Sequence, residues 1–248
     1  MSKFANRIIA VTGGGSGLGE AICRRLAIEG AKPMVLDIDE TGGNRVADET
    51  GGSFFRADVT NPRDMADCFN RIVARFGVLN GAVNNAGIGG GYAPLVEYAL
   101  ETWDKVIATN LTGLFYCMRA EIPHLIAAGG GSIVNMASIV GVIGQANTAA
   151  YAATKHGAIG LTKSVALEYG TSGIRVNAVC PTYVRTPLTL SLPLLQSEEV
   201  WKEIDARHAT GRCATPEEVA AMTLFLLSDD AASCTGAAYM VDAGLTAS

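Results

Sequence analysis

The stretch that decides the fold lies close to the amino terminus, where Ile8-Ile9-Ala10-Val11 runs into Thr12-Gly13-Gly14-Gly15-Ser16-Gly17-Leu18-Gly19. The apolar run predicts a buried strand, and the helical spacing of Ala21, Ile22 and Leu26 predicts a helix directly after the glycines. Glycines permit a tight turn and let the backbone approach a ligand, while the helix start offers free N–H groups to an anion. A tight strand-to-helix turn with no ligand would use the same residues, so this motif needs support from the rest of the chain.

Outward from this turn, short apolar runs alternate with helix-sized segments along the whole chain. Continuous apolar strands are typical of a parallel sheet covered on both faces, and their alternation with helices predicts right-handed βαβ units. We therefore predict a single α/β domain over residues 1–248, a Rossmann fold with a doubly wound parallel sheet of about seven strands. The predicted strands are Ile8–Thr12, Pro33–Asp37, Ser53–Ala57, Gly81–Asn84, Ser132–Met136, Arg175–Cys180 and Ala238–Val241. The predicted helices are Gly17–Glu29, Pro62–Phe76, Thr102–Ala127, Ala150–Tyr169 and Pro216–Leu227.

One segment, residues 186–213, departs from this alternation. It has no predicted strand and carries Trp201, Ile204 and a series of leucines at positions 188, 190, 192, 194 and 195. An insertion after the carboxyl end of a strand is where an open α/β sheet places a substrate lid. We predict a substrate-binding lid; a helix packed on the body or on a partner subunit is the alternative.

Composition and charge exclude several classes of partner. The chain has 248 residues, 17% of them charged, and a net charge of -5. An acidic chain has no electrostatic attraction to nucleic acid or to an anionic membrane, so we expect neither as a partner. No apolar run reaches the roughly 18 residues of a membrane span, and the apolar start is too short for a signal peptide, so we expect a cytoplasmic protein. The cysteines and histidines are scattered, and we expect no metal.

Acidic and amide residues follow the next predicted strands. Asp37 lies about 20 residues beyond the glycine turn, where a carboxylate binds the adenosine ribose hydroxyls of a dinucleotide. It would repel the additional phosphate of NADP, and no Lys or Arg stands in the turn or directly after Asp37 to offset that repulsion. The sequence therefore predicts NAD as the cofactor; a helix cap is the alternative role for this acid. Asp58-Val59 and Asn84–Gly87 follow the third and fourth strands, at the same edge of the sheet.

A serine, a tyrosine and a lysine form the candidate catalytic set. Ser138 follows the fifth predicted strand, and Tyr151 and Lys155 lie one turn apart on one face of the next helix. A free phenol has a pKa of about 10, too high for efficient proton transfer at neutral pH. A lysine ammonium one turn away favours the phenolate, so we expect the pKa of Tyr151 to be lowered. The serine hydroxyl can hydrogen-bond a substrate oxygen beside Tyr151.

With these motifs in order, the chain resembles the short-chain dehydrogenase/reductase family over essentially its full length. The residues that carry the resemblance are Thr12–Gly19, Asp58, Asn84–Gly87, Asn110, Ser138, Tyr151, Lys155 and the segment from Pro181 to Thr186. The resemblance implies that Tyr151 is the general acid/base, Lys155 its pKa-lowering and ribose-binding partner, and Ser138 the residue that orients the carbonyl. It also implies that Asn110 holds a water in a proton relay to Lys155. From the residues alone, Asn110 would be a buried polar side chain satisfied by the backbone.

The resemblance also implies the cofactor contacts, with Thr186 on the nicotinamide carboxamide. The expected NAD-binding residues are Gly13, Ser16, Gly17, Leu18, Gly19, Asp37, Ile38, Asp58, Val59, Asn85, Ala86, Gly87, Tyr151, Lys155, Pro181, Val184 and Thr186. The sequence departs from the family at Thr182, where the family usually has glycine after Pro181. The added side chain reshapes the substrate side of the nicotinamide pocket and prevents transfer of a substrate identity from the family.

The expected activity is NAD-dependent interconversion of a secondary alcohol and a ketone. We predict that the leucine-rich lid and Val140, Gln145, Asn147 and Tyr183 line the substrate site, which favours an apolar or cyclic substrate. The leucines can equally pack inward. A 3-oxoacyl-[acyl-carrier-protein] reductase and a catalytically silent NAD-binding redox sensor are the alternatives. The resemblance further implies a homotetramer built through the helices Thr102–Ala127 and Ala150–Tyr169.

Overall fold

A computed structural model describes residues 3–247, apart from the side chains of residues 193 and 194, so the Leu194 side chain of the predicted lid lies outside the described part. The strands of this part are β1 (Ile8–Thr12), β2 (Lys32–Asp37), β3 (Ser53–Arg56), β4 (Gly81–Asn84), β5 (Gly131–Met136), β6 (Ile174–Pro181) and β7 (Ala238–Val241). They form one parallel sheet in the order β3-β2-β1-β4-β5-β6-β7. The predicted doubly wound parallel sheet is confirmed, with strand ends that differ from prediction by at most one residue.

Helices lie between the strands in chain order. They are α1 (Gly17–Ile28), α2 (Glu40–Thr50), α3 (Pro62–Phe76), α4 (Leu100–Ile107), α5 (Gly113–Ala127), α6 (Ala149–Tyr169), α7 (Pro187–Leu190), α8 (Glu198–Ala206) and α9 (Pro216–Leu227).

Two separate apolar clusters pack on the sheet. One includes Phe69 and Met118, from α3 and α5, and the other includes Leu26 and Leu224, from α1 and α9. Both faces of the sheet are therefore buried, as the uninterrupted apolar strands predict.

Helix α2 is absent from the prediction. Gly42 and Gly43 lie inside it and lower its helix propensity, which is why the sequence pattern did not indicate a helix. Packing requires the second of these glycines, because a Cβ on Gly43 would lie 2.2 Å from the ring of Phe54. The Asp39 side chain caps the start by accepting a hydrogen bond from the Thr41 N–H. Tertiary contact and capping thus form a helix that local propensity disfavours.

The predicted helix Thr102–Ala127 is divided into α4 and α5. Between them, residues Ala108–Thr112 form one turn of π-helix. Asn110 lies in this turn and is buried. A π-turn inserts an additional residue into the helix and changes the direction in which its side chains point, and such turns are frequent at functional sites.

The predicted insertion between residues 186 and 213 is helical. It contains α7, a 3-10 turn over Pro193–Gln196, and α8. Its buried apolar residues form a small cluster of their own, made of Leu195, Trp201, Ile204 and Cys213, with Leu192 and Tyr183 packed against it. The leucines of this segment are thus divided: Leu195 is buried, whereas Leu188 and Leu190 are exposed.

The strand order reverses between β1 and β4, which lie side by side at the centre of the sheet. Loops that leave the carboxyl ends of these strands run to opposite sides and open a crevice, the position at which doubly wound sheets bind ligands. Within residues 3–247, no helix is long and apolar enough to cross a bilayer.

Candidate active site

The glycine turn after β1 holds its backbone in a shape that side chains would disrupt. Gly13 and Gly17 have φ of 63° and 54°, in the left-handed region that favours glycine. A Cβ on Gly19 would lie 2.0 Å from the carbonyl oxygen of Gly13. Ser16 caps α1 without any side-chain hydrogen bond to the first turn, which leaves the N–H groups of that turn directed towards the crevice.

The loop after β4 is tied to this turn by hydrogen bonds. The Thr12 hydroxyl accepts from the N–H groups of Asn85 and Ala86, at 3.0 and 3.1 Å. The Asn85 side-chain amide donates to the carbonyl oxygens of Thr12 and Gly13, both at 3.1 Å. The two loops therefore form one rigid floor beneath the crevice.

Two carboxylates line the crevice beyond this floor. Asp37 ends β2 and accepts from the Gly15 N–H at 2.9 Å and from the Asp39 N–H at 3.0 Å. Asp58, after β3, accepts from the N–H and the hydroxyl of Thr60, at 2.9 and 2.8 Å. Both carboxylates are oriented by the backbone around them.

A cation that sequence reasoning missed reaches the glycine turn from α2. The Arg45 guanidinium donates to the carbonyl oxygen of Gly15 at 3.3 Å. It also pairs with Glu20 at 2.6 Å and with Glu49 at 3.2 Å. Glu20 and Glu49 also pair with Arg24, so these two arginines and two glutamates form a cluster without net charge that does little to attract a further anion to this side of the crevice.

The crevice has a volume of about 610 Å³. Most of the predicted cofactor residues line it: Gly13, Ser16, Gly17, Leu18, Asp37, Ile38, Asp58, Val59, Asn85, Ala86, Gly87 and Thr186. Tyr151, Lys155, Pro181 and Val184 line an adjoining cavity of about 90 Å³, which shares Thr186 and Leu18 with the crevice. Gly19 lines neither cavity, because it lies below the turn against Gly13.

The three candidate catalytic residues meet at this adjoining cavity. Ser138 follows β5, and α6 begins at Ala149, so that Tyr151 falls in its first turn and Lys155 one turn later. The Lys155 ammonium lies 5.4 Å from the centre of the Tyr151 ring and donates to the Met136 carbonyl oxygen at 2.7 Å. Ser138 and Tyr151 line this cavity together, and the Ser138 hydroxyl acts to lower the pKa of the Tyr151 phenol. The predicted triad is therefore in place at the carboxyl edge of the sheet.

The predicted lowering of the phenol pKa is wrong for this arrangement. Burial raises the pKa of Tyr151 to about 12, against the lowering effect of the Ser138 hydrogen bond. Burial also lowers the pKa of Lys155 to about 8. Spacing along a helix indicates the attraction between phenolate and ammonium, but not the cost of removing both groups from water, and that cost is the larger effect here.

Asn110 bonds to the backbone, as reasoning from the residue alone indicated. Its side chain accepts from the Ile88 N–H and donates to the Ile88 carbonyl oxygen, both at 2.8 Å. It thereby ties the π-turn to the loop after β4. It also lines a small cavity of about 10 Å³, together with Lys155 and Thr109. That volume is the size of one water molecule.

Another cavity, of about 110 Å³, also has Ser138 and Tyr151 in its lining and extends to the lid. Three of the four predicted substrate residues line it, namely Val140, Gln145 and Tyr183. Asn147 does not, since it lies at φ 66° in a turn where its carbonyl oxygen accepts from the Ala93 N–H. Asn147 therefore forms a turn with left-handed backbone geometry. Its proximity to Tyr151 in the sequence gave no indication of this role.

Further residues complete this cavity. Leu188, Leu192 and Leu195 come from the predicted lid, and Ile139, Thr148, Thr182 and Thr189 were not assigned to the substrate site by sequence reasoning. Thr182 carried a signal, because it departs from the family's glycine. Most of the exposed wall is apolar, although about half of the lining residues carry a hydroxyl or amide group. Within the described residues, no cluster of three His, Cys, Asp or Glu side chains could hold a metal ion.

Comparison with known proteins identifies the family of this chain. The sequence model of the family described as enoyl-(acyl carrier protein) reductase matches residues 13–246. The chain is 44% identical to cyclohexanol dehydrogenase of Acinetobacter sp. (strain SE19), over 99% of this chain and 97% of that one. It is 43% identical to cis-4-hydroxycyclohexanecarboxylate dehydrogenase of Sinomonas cyclohexanicum, over 98% of each. The crystal structure of levodione reductase superposes with a TM-score of 0.95 at 34% identity, over 99% of each chain.

The chain belongs to the short-chain dehydrogenase/reductase family. It is accordingly an oxidoreductase of the alcohol dehydrogenase type, in a family that uses nicotinamide cofactors and acts on small alcohols. The family predicted from the motifs is confirmed.

Proposed function

We propose that this protein is an NAD-dependent dehydrogenase that interconverts a small cyclic secondary alcohol and its ketone. One observation carries the proposal. Ser138 and Tyr151 line both the cavity next to the dinucleotide crevice and the apolar cavity of about 110 Å³. A substrate oxygen beside these two hydroxyls would therefore stand between a cofactor on one side and an apolar pocket on the other.

The crevice fits a dinucleotide. Its glycine turn has no room for a Cβ at Gly13 or Gly19, so that backbone alone faces the ligand, and the free N–H groups at the start of α1 suit a pyrophosphate. Asp37 lies where the adenosine ribose would be held, with its carboxylate fixed by two backbone N–H groups. A 2′-phosphate at that point would face this carboxylate, and Arg45, the arginine that reaches the glycine turn, belongs to a cluster of two arginines and two glutamates without net charge. These features support NAD over NADP.

The chain's own residues position and move one proton. Ser138 donates a hydrogen bond to the substrate oxygen and holds it beside the Tyr151 hydroxyl. The Tyr151 phenolate takes the proton of the alcohol during oxidation, and the phenol returns it during reduction. NAD⁺ bound in the crevice would accept the hydride that leaves the carbinol carbon, and its positive charge would favour the phenolate. Lys155, held by the Met136 carbonyl oxygen, adds a second positive charge near the phenol.

A proton path from Lys155 completes the assignment. We assign the small cavity between Asn110 and Lys155 to one water molecule that passes the proton onward. Asn110 is then a positioning residue, since its side-chain atoms bond to Ile88 and shape this cavity.

The apolar cavity supports a cyclic substrate. An enclosed apolar cavity of about 150 Å³ takes up benzene, so a cavity of about 110 Å³ that opens towards the cofactor is on the scale of one six-membered ring. Residues 186–213 act as the lid over this ring, because Leu188, Leu192 and Leu195 form part of its wall. The similarity to dehydrogenases named for cyclohexane derivatives supports the same class of substrate.

Two further proposals concern the whole chain. We propose that residues 1–248 form one dinucleotide-binding domain that works in the cytoplasm. We also propose that it assembles as a homotetramer through α5 and α6. Large apolar side chains on the outer faces of these helices, Phe115 and Leu167, support the assembly.

The cofactor assignment is tested by initial rates with cyclohexanol and either NAD⁺ or NADP⁺, followed at 340 nm. We expect kcat/KM to favour NAD⁺ by at least about tenfold, the scale of one unfavourable charge contact near a protein surface. Asp37→Asn should reduce this preference, whereas the matched control Asp39→Asn should keep it. A strong preference of the wild type for NADP⁺ would contradict the assignment of NAD as the cofactor. It would favour the alternative function of a 3-oxoacyl-[acyl-carrier-protein] reductase. Turnover of no alcohol in a panel of secondary alcohols would favour the redox sensor.

A further inference from the structure

The residue that departs from the family's glycine, Thr182, makes a buried contact with the lid. It follows the last residue of β6, and its hydroxyl lies 2.7 Å from Nε2 of His208. His208 comes just after α8, and both side chains are buried. The contact therefore joins the carboxyl end of β6 to the carboxyl end of α8.

The direction of this hydrogen bond follows from the second ring nitrogen. Nδ1 of His208 lies 2.8 Å from the Ile204 carbonyl oxygen, which can only accept, so Nδ1 carries the proton. In a neutral imidazole, Nε2 is then an acceptor, and the Thr182 hydroxyl donates to it. The Cys213 sulfur lies 3.9 Å from Nδ1, and the carboxylate of Asp205 interacts electrostatically with the ring. Every polar atom of the pair thus has a partner, and losing the hydroxyl would leave Nε2 buried without one.

Other polar contacts also join the lid to the rest of the chain: Arg212 pairs with the exposed Glu218 of α9 at 2.6 Å, and the Thr210 N–H donates to the Ala243 carbonyl oxygen at 3.4 Å. Arg185 pairs with Glu198 at 2.6 Å and stacks on Trp201 at 4.5 Å, but the Arg185–Glu198 pair is exposed and contributes little. The apolar cluster of the lid reaches the body through Tyr183, the neighbour of Thr182. The buried Thr182–His208 hydrogen bond therefore lies at the junction between the lid and the carboxyl end of β6.

The same residue borders the reacting groups. Thr182 lines the apolar cavity together with Leu192 and Leu195 of the lid, and it lines the adjoining cavity together with Tyr151 and Lys155. Its side chain occupies space that glycine would leave open between these two cavities.

We propose that the Thr182–His208 hydrogen bond holds the lid closed on the end of β6, and that Thr182 thereby restricts the substrate site to alcohols with one small ring. The proposal rests on the function proposed above and deepens it. Thr182 is a specificity residue that acts by bulk, and His208 is a positioning residue that acts through Thr182 and the lid.

Two substitutions at Thr182 separate these contributions. Thr182→Val keeps the shape and removes the hydroxyl. We expect the KM for cyclohexanol to rise on the order of tenfold, since an unpaired buried acceptor costs about that factor, while kcat stays close to wild type.

Thr182→Ser keeps the hydroxyl and removes a methyl group. We expect the ratio of kcat/KM for the bulkier 4-phenylcyclohexanol to that for cyclohexanol to rise by roughly three- to tenfold. Thr223→Val, which also removes a buried threonine hydroxyl, is the matched control and should change neither parameter.

Limited trypsin digestion reads the lid without any turnover. Lys202 and Arg207 are exposed on and just after α8, and they become cleavable when the lid opens. Cleavage there should be several times faster in Thr182→Val than in wild type, and unchanged in Thr182→Ser and Thr223→Val. The double variant Thr182→Val/His208→Phe should be cleaved no faster than His208→Phe alone, because the bond has already been lost.

These measurements test separately the tethering of the lid by the Thr182–His208 bond and the restriction of the substrate by the bulk of Thr182. Equal cleavage of Thr182→Val and Thr223→Val would overturn the tether, and unchanged selectivity in Thr182→Ser would overturn the restriction by bulk. If the wild type oxidises neither alcohol with NAD⁺, the proposed function fails, and the trypsin comparison still decides whether the tether exists.

Discussion

At the scale of single residues, a buried carboxyl group stands out because the proposed chemistry does not use it. Glu121 lies on α5 with no access to solvent and accepts a hydrogen bond from the Asn84 side-chain amide at 2.9 Å. Its second oxygen has no hydrogen-bond partner. Burial raises its pKa to about 7. The neutral acid is therefore the form that fits this core.

This shift makes folding stability depend on pH. A carboxyl with a raised pKa stabilises the fold fully below its ordinary value of 4.5, and the contribution is lost as pH rises through about 7. We expect that loss to amount to about 3 kcal/mol of unfolding free energy by pH 8. Glu121→Gln does not titrate, so urea denaturation should show it gaining on the wild type between pH 5 and pH 8. The exposed Glu168→Gln serves as control. Parallel stabilities of wild type and Glu121→Gln across this range would contradict the account.

The motif residues could be predicted because their chemistry is carried by spacing along the chain. A spacing of four residues places Tyr151 and Lys155 one turn apart whenever the segment is helical. The distance of Asp37 from the glycine turn places it at the end of the second strand. The pKa of Tyr151 could not be predicted in this way, since it depends on burial by residues distant in sequence. The same holds for Thr182, whose partner His208 is 26 positions away.

At the scale of secondary structure, the π-turn between α4 and α5 is the element that turns Asn110 towards the loop after β4. Periodicity alone predicts one uninterrupted helix here, because a single inserted residue hardly alters an apolar pattern. Helix α2 was missed for a different reason, since its glycines serve packing against Phe54 rather than local propensity. By contrast, α3 and α9 could be predicted to the residue, because Pro62 and Pro216 mark their first turns.

Removal of the Asn110 side chain should loosen this junction. Asn110→Ala leaves the N–H and carbonyl of Ile88 without their partners, so we expect the unfolding free energy to fall by about 1 to 3 kcal/mol. Turnover should fall as well, because the small cavity beside Lys155 loses its shape. Asn44→Ala, at an exposed helical asparagine, should change neither quantity. Normal turnover in a destabilised Asn110→Ala would remove Asn110 from the proton path and leave it a structural role.

At the scale of the whole molecule, the proposed tetramer explains why large apolar side chains face outward on α5 and α6. Leu167 of α6 is 86% exposed in the single chain. We expect the wild type to sediment as a tetramer and Leu167→Glu to sediment as smaller species, since a buried carboxylate without a partner opposes association. Ile28→Glu, at a residue 79% exposed at the end of α1, should remain tetrameric. A wild type that sediments as a monomer would contradict the proposed assembly.

In the proposed dehydrogenase activity, the Tyr151 hydroxyl is the group that exchanges a proton with the substrate. Phenylalanine at this position keeps the ring and removes only that hydroxyl, and Tyr169, on the same helix but outside both cavities, offers a matched control. The measurement is the steady-state rate of NADH formation from cyclohexanol by wild type, Tyr151→Phe and Tyr169→Phe. We predict a loss of at least about a hundredfold in kcat for Tyr151→Phe, with Tyr169→Phe close to wild type. A Tyr151→Phe enzyme that turns over at the wild-type rate would contradict the central claim.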